Sequence, residues 1–413
     1  MPLLVQKFGG SSLGTADHIR FVAERIAKTF QGGTRLVVVV SAMQGDTDRL
    51  SSLAQAISSS NTFQREKAAL LATGEQQSAA LLSMALLSLG VKSQSLNAHQ
   101  AGILTRGSYQ HSAIERIETK TVLDLCEQGV VPIITGFQGV NAKGEFTNIG
   151  RGGSDLTAVA MAHWLRADEC QIYTDVDGVY TIDPNVVSDA MLVDRLSYAE
   201  MLELARHGAK VLQYRSVKYA MRYNVPVFVA NTKCSERIGT CISQSICSTN
   251  LPKITGIGLD RNQAKIVVRA PVAVSHLADD LSQLLLDKGI DIDMFMQHVD
   301  GEMINIKFTT HLDSHHDALR LVESHVSDIT AVSISAAHAC AKVSLIGLGM
   351  QRHAKLLSEM MVLLNQASVP VEWLSSFSHR ISLIVAAQDL ELCAGLMHAE
   401  FIQESRVRAK PAC

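Results

Sequence analysis

Residues 7–12, Lys-Phe-Gly-Gly-Ser-Ser, join an apolar run (Leu3, Leu4, Val5) to a segment where Ile19, Val22, Ile26 and Phe30 recur at helical spacing. A strand, two glycines and an amphipathic helix in immediate succession make a βα unit. Further strands are predicted at 36–40, 131–136, 170–174 and 225–230, with helical patterns between them. Such alternation implies an α/β fold, a mostly parallel sheet sandwiched by helices. Ligands of these sheets collect at the carboxyl ends of the strands, and the glycine-rich segments fall at those ends. Adjacent glycines let backbone N–H groups converge on an anion, and Lys7 adds a fixed positive charge. The spacing is neither that of a Walker A loop nor that of a dinucleotide fingerprint. Alone, the segment is also compatible with a tight glycine turn.

A second candidate anion loop, Gly150-Arg151-Gly152-Gly153-Ser154-Asp155, enters a helix predicted over 156–167. Bare N–H groups at a helix start, with an arginine beside them, suit a carboxylate or phosphate. Two such loops in one domain make a purely structural explanation poor. Tyr173-Thr174-Asp175-Val176-Asp177-Gly178-Val179-Tyr180 ends a strand in a polar turn fit for a nucleoside. Thr73-Gly74-Glu75 is expected to break an alanine-rich helix and to place a carboxylate at a new helix start. Gly208-Ala209-Lys210 brings a lysine after an apolar helix.

A length of 413 residues implies about two to three domains. The net charge of -3 gives no electrostatic case for nucleic acid or an anionic membrane. No apolar run reaches the roughly 20 residues of a membrane span, and no secretion signal opens the chain. The eight cysteines are scattered without ligand spacing, which is expected of free thiols in a reducing cytoplasm and leaves no metal site to propose. The polar stretch 231–250 reads as a linker. Beyond it, two segments share one pattern of strand, helix, turn and two strands, opening at Ala264-Lys265 and at Ala341-Lys342. Two ferredoxin-like modules, or one continuous α+β domain, account for that repeat.

With K-F-G-G-S-S, V-V-V-S-A-M (38–43), T-G-E (73–75), G-F-Q-G-V (136–140), G-R-G-G-S-D and Y-T-D-V-D-G-V-Y-T-I-D-P (173–184) in this order, the chain resembles the aspartate kinases in their monofunctional form. The helix Y-A-E-M-L-E-L-A (198–205) and Lys210 match the same pattern. The resemblance implies an amino-acid-kinase catalytic domain over 1–230, a linker over 231–250, and two ACT modules of βαββαβ type over 251–336 and 337–413. It implies transfer of the ATP γ-phosphoryl group to the side-chain carboxylate of L-aspartate, with Mg²⁺ on the nucleotide, in the lysine, threonine and methionine branch of amino-acid biosynthesis. A cytoplasmic homodimer joined through the ACT modules is expected.

The implied roles follow the matched positions. Lys7, Glu75 and Asp155 are catalytic. Lys7, Phe8, Gly9, Gly10, Thr174, Asp175, Tyr180 and Lys210 hold the nucleotide. Ser41, Thr47, Glu75, Arg151, Gly152, Gly153 and Ser154 hold aspartate. Asp293 and Gln297 match allosteric positions. Departures also stand out: Asn185 replaces an arginine after Asp183-Pro184. Ala270–Ser275, His353-Ala354-Lys355, Val369-Pro370-Val371 and Ser376-Phe377-Ser378 replace the usual effector-site patterns. Weak, altered or absent inhibition by lysine and threonine is the expectation. Two alternatives stay open, a kinase of this fold acting on another carboxylate or a nucleotide, and an inactive amino-acid sensor.

Overall fold

The first strand, β1 (Leu3–Phe8), is buried along nearly its whole length, as a strand covered on both faces must be. The computed structural model describes residues 1–58, 63–209, 211–234, 237–244, 254–274, 276–347, 353–377 and 379–403. Lys210, Cys247, Ser275, Ser378 and Cys413 lie outside the described residues, as does the end of the expected linker. Two compact units emerge, one of Met1–Tyr180 with Leu192–Thr249, the other of Thr181–Met191 with Asn250–Cys413.

In the first unit β1 is followed by α1 (Ala16–Gln31), β2 (Arg35–Val40), α2 (Asp46–Ile57), α3 (Gln64–Ser88) and β3 (Ser93–Leu96). Next come β4 (Ile103–Gly107), β5 (Ser112–Ile117), α4 (Lys120–Glu127), β6 (Val131–Thr135), β7 (Gln138–Val140) and β8 (Phe146–Asn148). The unit closes with α5 (Gly153–Leu165), β9 (Glu169–Thr174), β10 (Arg195–Ser197), α6 (Tyr198–Arg206), α7 (Tyr214–Tyr223), β11 (Val227–Asn231) and β12 (Thr240–Ser243). Eight strands form the main sheet in the order β10-β12-β11-β9-β1-β2-β6-β3, and β5-β4-β7-β8 form a small second sheet. Strands β11, β9, β1, β2 and β6 run parallel, so their carboxyl ends share one rim.

Thr15 caps α1 by accepting the His18 N–H at 3.2 Å, and Ile19, Val22 and Ile26 then bury one stripe of that helix. They pack with Leu82 and Leu86 of α3 and with Phe8, Leu36, Val38, Val40 and Tyr173 of the sheet. Side chains alternate across a strand. Phe8 therefore enters this core, while Lys7 points the other way, to α5.

Two expectations need correcting. Thr73-Gly74-Glu75 does not break the helix, because α3 runs without interruption from Gln64 to Ser88. Gly74 is there for proximity: a Cβ on it would lie 2.9 Å from the Cβ of Ala42. The polar stretch after Asn231 is not all linker either. Its Thr240–Ser243 segment alternates buried and half-buried residues and enters the main sheet as β12, between β10 and β11.

The second unit contains β13 (Gly256–Pro271), α8 (Leu277–Asp287), β14 (Met296–Asp300), β15 (Met303–His311), α9 (Leu312–Val326) and β16 (Ser333–Ile346). It continues with α10 (His353–Gln366), β17 (Trp373–Phe377), β18 (Arg380–Ala386) and α11 (Leu390–His398). Its sheet among the described residues has the order β14-β15-β13-β16-β18-β17. The long strands β13 and β16 pair antiparallel, with register shifts between Asp260 and Lys265, and each serves two cores. One core gathers Ile266, Val268, Leu281, Ile306, Phe308 and Val322. The other gathers Ile254, Ile257, Val343, Leu345, Leu383 and Met397, and also takes Ile182 from the 181–191 segment. β17 begins at Trp373, and Pro370 ahead of it lacks the N–H a ladder needs. β14 begins at Met296, and Ile292 makes only an isolated bridge to Thr310. Among the described residues no helix is long and apolar enough to cross a membrane.

Candidate active site

Lys7 sits one residue before the carboxyl end of β1, 8% exposed. Its ammonium lies 2.5 Å from Oδ1 of Asp155, and both side chains are 11% exposed. Asp155 stands in the first turn of α5, where unpaired N–H groups and the helix dipole favour a negative charge. The pair thus fixes a lysine at the rim. Gly152 makes the turn into α5 with a φ of 70°, and a Cβ there would collide with Gln213. Gly153 and Ser154 are buried in the first turn, while Arg151 is exposed at its mouth. Arg215 holds the approach to the loop by donating to the Ile149 carbonyl at 2.7 Å.

The Gly9 amide is not an anion donor. It bonds the Tyr173 carbonyl at 3.2 Å, tying β1 to β9. That leaves Gly10 and Ser11, whose N–H groups open the 3-10 turn Gly10–Leu13 and have no carbonyl of that turn to bond.

Facing this turn is the loop after β2. Ser41 donates its N–H to Phe8 O at 3.1 Å, and Thr47 is half-buried in the first turn of α2. Gly74 lets α3 approach that loop, which brings Glu75 beneath it. Glu75 is 3% exposed. Its Oε1 accepts the Ala42 N–H at 3.1 Å, and Oε2 is buried with no hydrogen-bond partner among the described residues. Burial pushes this carboxyl up to about 8; the Ala42 N–H opposes the shift and Asp46 adds to it.

At the end of β9, Thr174 donates its hydroxyl to Asp175 at 2.9 Å, and Asp175 is exposed. The Tyr180 hydroxyl donates to Asp177 at 3.0 Å, and burial with this bond raises the phenol above its ordinary value. Asp177 also accepts from Asn231 at 2.9 Å. A cavity of about 320 Å³ opens here, lined by Ser11, Ser12, His18, Thr174, Asp175 and Lys233 among others. Sequence reasoning missed Asn231 and the turn after it, because Asn231–Cys234 looked like linker. Asp177 stood inside the quoted motif, and its spacing from Tyr180 was the available signal. Asn185 folds back on Asp183, donating both its backbone and side-chain N–H groups to Oδ1.

In the second unit Asp293 is engaged by Lys342, and Arg380 stands 3.7 Å away. Gln297 is exposed on β14. Asp293 is thus already committed to two cations.

Residues 2–231 match the Amino acid kinase family. The chain is 39% identical to an aspartate kinase of Stutzerimonas stutzeri over 97% of each chain. It is 40% identical to the aspartokinase of Corynebacterium efficiens, over 97% of this chain and 96% of that one. Among solved structures, E. coli aspartokinase III in complex with aspartate and ADP matches with a TM-score of 0.77, over 96% of this chain and 99% of that one. Its identity of 23% speaks to fold alone. Motif order, fold and full-length similarity agree, and the chain belongs to the amino acid kinase family and, within it, to the aspartate kinases.

Proposed function

We propose that the protein transfers the γ-phosphoryl group of ATP to the side-chain carboxylate of L-aspartate, giving 4-phospho-L-aspartate. The observation that carries this reading is the Lys7–Asp155 pair at the carboxyl rim, beside the open amides of Gly10 and Ser11. The nucleophile is already a carboxylate at neutral pH and needs no general base. Its obstacle is repulsion from the triphosphate, so alignment and positive charge supply the catalysis. Lys7 meets the transferring phosphoryl and Asp155 orients Lys7. The cation and the Gly10 and Ser11 N–H groups at the start of the turn fit phosphate oxygens, and Mg²⁺ would enter with the nucleotide and add positive charge there. Thr174, Asp175 and Tyr180 form the nucleotide edge, and Lys210 is assigned to the nucleotide's charge by its motif match alone. Ser41, Thr47 and Gly152–Ser154 line the aspartate pocket.

ADP formation with L-aspartate and hydroxylamine tests the reading, because hydroxylamine traps an acyl phosphate as the hydroxamate. Aspartate-dependent hydroxamate supports it; a folded protein without turnover overturns it.

Arg151 is assigned to the α-carboxylate of aspartate. Arg151→Ala is expected to raise KM for aspartate by about a hundredfold, with KM for ATP little changed, in line with loss of a charge-assisted pair. A shift confined to ATP would reverse the assignment.

Glu75 is assigned to the α-ammonium, which binds the ionised carboxylate. The free site holds a proton up to about pH 8, so binding aspartate below that pH must release it. KM for aspartate is therefore expected to fall by up to about tenfold per unit as pH rises toward 8. Glu75→Gln should raise KM and flatten the slope. A KM for the parent enzyme that is flat between pH 6 and 8 would sink the assignment.

The free thiols Cys126, Cys170, Cys340 and Cys393 are buried and suit a reducing cytoplasm. The exposed strand β14 at one sheet edge supports a homodimer formed through the second unit, which sedimentation would test.

A further inference from the structure

Arg25 of α1 is a half-buried cation lying between the buried Val22 and Ile26, and among the described residues no carboxylate pairs with it. Its contacts run to the rim instead. Nη1 donates to the carbonyl of Thr232 at 3.1 Å and to that of Cys234. Its guanidinium lies 4.2 Å from the centre of the Tyr173 ring. That ring stacks on Phe8 at 5.1 Å, and the Tyr173 carbonyl takes the Gly9 N–H. Thr232 extends the connection: its Oγ1 donates to the Thr174 carbonyl at 3.0 Å and lies 2.5 Å from the Ser12 hydroxyl. One side chain thus joins the carboxyl ends of β1, β9 and β11. The planar fork of an arginine suits the task, since its edge donates to two carbonyls while its face covers a ring.

We propose that Arg25 is a positioning residue for the nucleotide half of the site, holding the Thr174–Asp175 edge and the turn after β11 in register with the phosphate-facing turn. This rests on the assignment of the nucleotide to that edge. Among the described residues the hydrogen bonds and ring contact of Arg25 run to Thr232, Cys234 and Tyr173, not to Ser41, Glu75 or Arg151, so the aspartate half is expected to be spared. The role is selective between substrates, which a merely structural one is not.

The test compares Arg25→Met, Arg25→Lys and Thr232→Val with the parent full-length chain. KM for Mg-ATP, KM for aspartate, kcat, melting temperature and the Kd for Mg-ADP by calorimetry are read for each. Arg25→Met is expected to raise KM for Mg-ATP and the Kd for Mg-ADP about tenfold, leaving KM for aspartate within about twofold. Arg25→Lys keeps a charge but loses the fork and should fall between. Thr232→Val keeps Arg25, loses the hydroxyl link, and should shift the same two constants by a few-fold. Unchanged nucleotide constants in a folded Arg25→Met overturn the proposal, as does a rise in KM for aspartate in step with that for ATP. Should Arg25→Met fail to fold, unchanged nucleotide constants in both Arg25→Lys and Thr232→Val overturn it. A parent enzyme that binds Mg-ADP but shows no aspartate-dependent turnover refutes the functional reading, and the ADP arm still judges Arg25.

Discussion

Lys7→Met is expected to lower kcat about a thousandfold, with the first unit still folded, on the scale seen when a fixed stabiliser of transition-state charge is lost. The lysine lies on a central strand and is held by Asp155 within a largely water-excluded site. A preorganised cation there keeps its strength without reorganising as charge builds between the two anions. Folding is expected to survive because Asp155 is not stranded by the change. It stands in the first turn of α5, where backbone N–H groups and the dipole still favour its charge, so a stability loss of about 1–2 kcal/mol is expected, below that of an isolated buried charge. Single-turnover phosphoryl transfer, with circular dichroism and a melting curve alongside, separates the two effects. A kcat within about threefold of the parent would remove Lys7 from the chemistry.

Much of this site was legible in the sequence because its signals are local. A lysine, two glycines and a helix start need only each other, and the βα alternation carries them to one rim. What the sequence hid depends on contacts between distant segments. Gly74 looked like a helix breaker, yet its purpose is the approach to Ala42, and the helix continues because tertiary packing outweighs a propensity cost of about 1 kcal/mol. The same approach buries Glu75, so its raised pKa was invisible too. Gly9 was read as an anion donor, but its N–H belongs to the pairing of β1 with β9. β12 hid in a polar stretch because a strand of four residues shows too few alternations to register. Nothing within α1 announces the carbonyls that Arg25 meets beyond β11.

Asp293 was marked by resemblance as an effector position, and its surroundings give it a different weight. Lys342 is 2% exposed at the middle of the second unit's sheet, with its ammonium against Asp293, and the Arg380 guanidinium lies 3.7 Å from the same carboxylate. Asp293→Ala leaves two cations together at a site one of them cannot leave. Breaking such a buried pair from the acidic side costs about 3–5 kcal/mol, and the partial exposure of Asp293 puts the expectation near the lower end. For a unit of this size about 3 kcal/mol lowers the melting temperature by roughly 6–12 °C. Lys342→Met should behave differently. It removes the buried cation, fills a similar volume with apolar atoms, and leaves Asp293 beside Arg380, so a cost under about 1.5 kcal/mol is expected. Calorimetric melting of both variants decides the matter. A large loss for Asp293→Ala with a small one for Lys342→Met identifies the carboxylate as the neutraliser of a buried charge. Equal losses would mean that the attraction within the pair, not the uncompensated cation, holds this part of the sheet. A harmless Asp293→Ala would return the residue to the ligand-binding role.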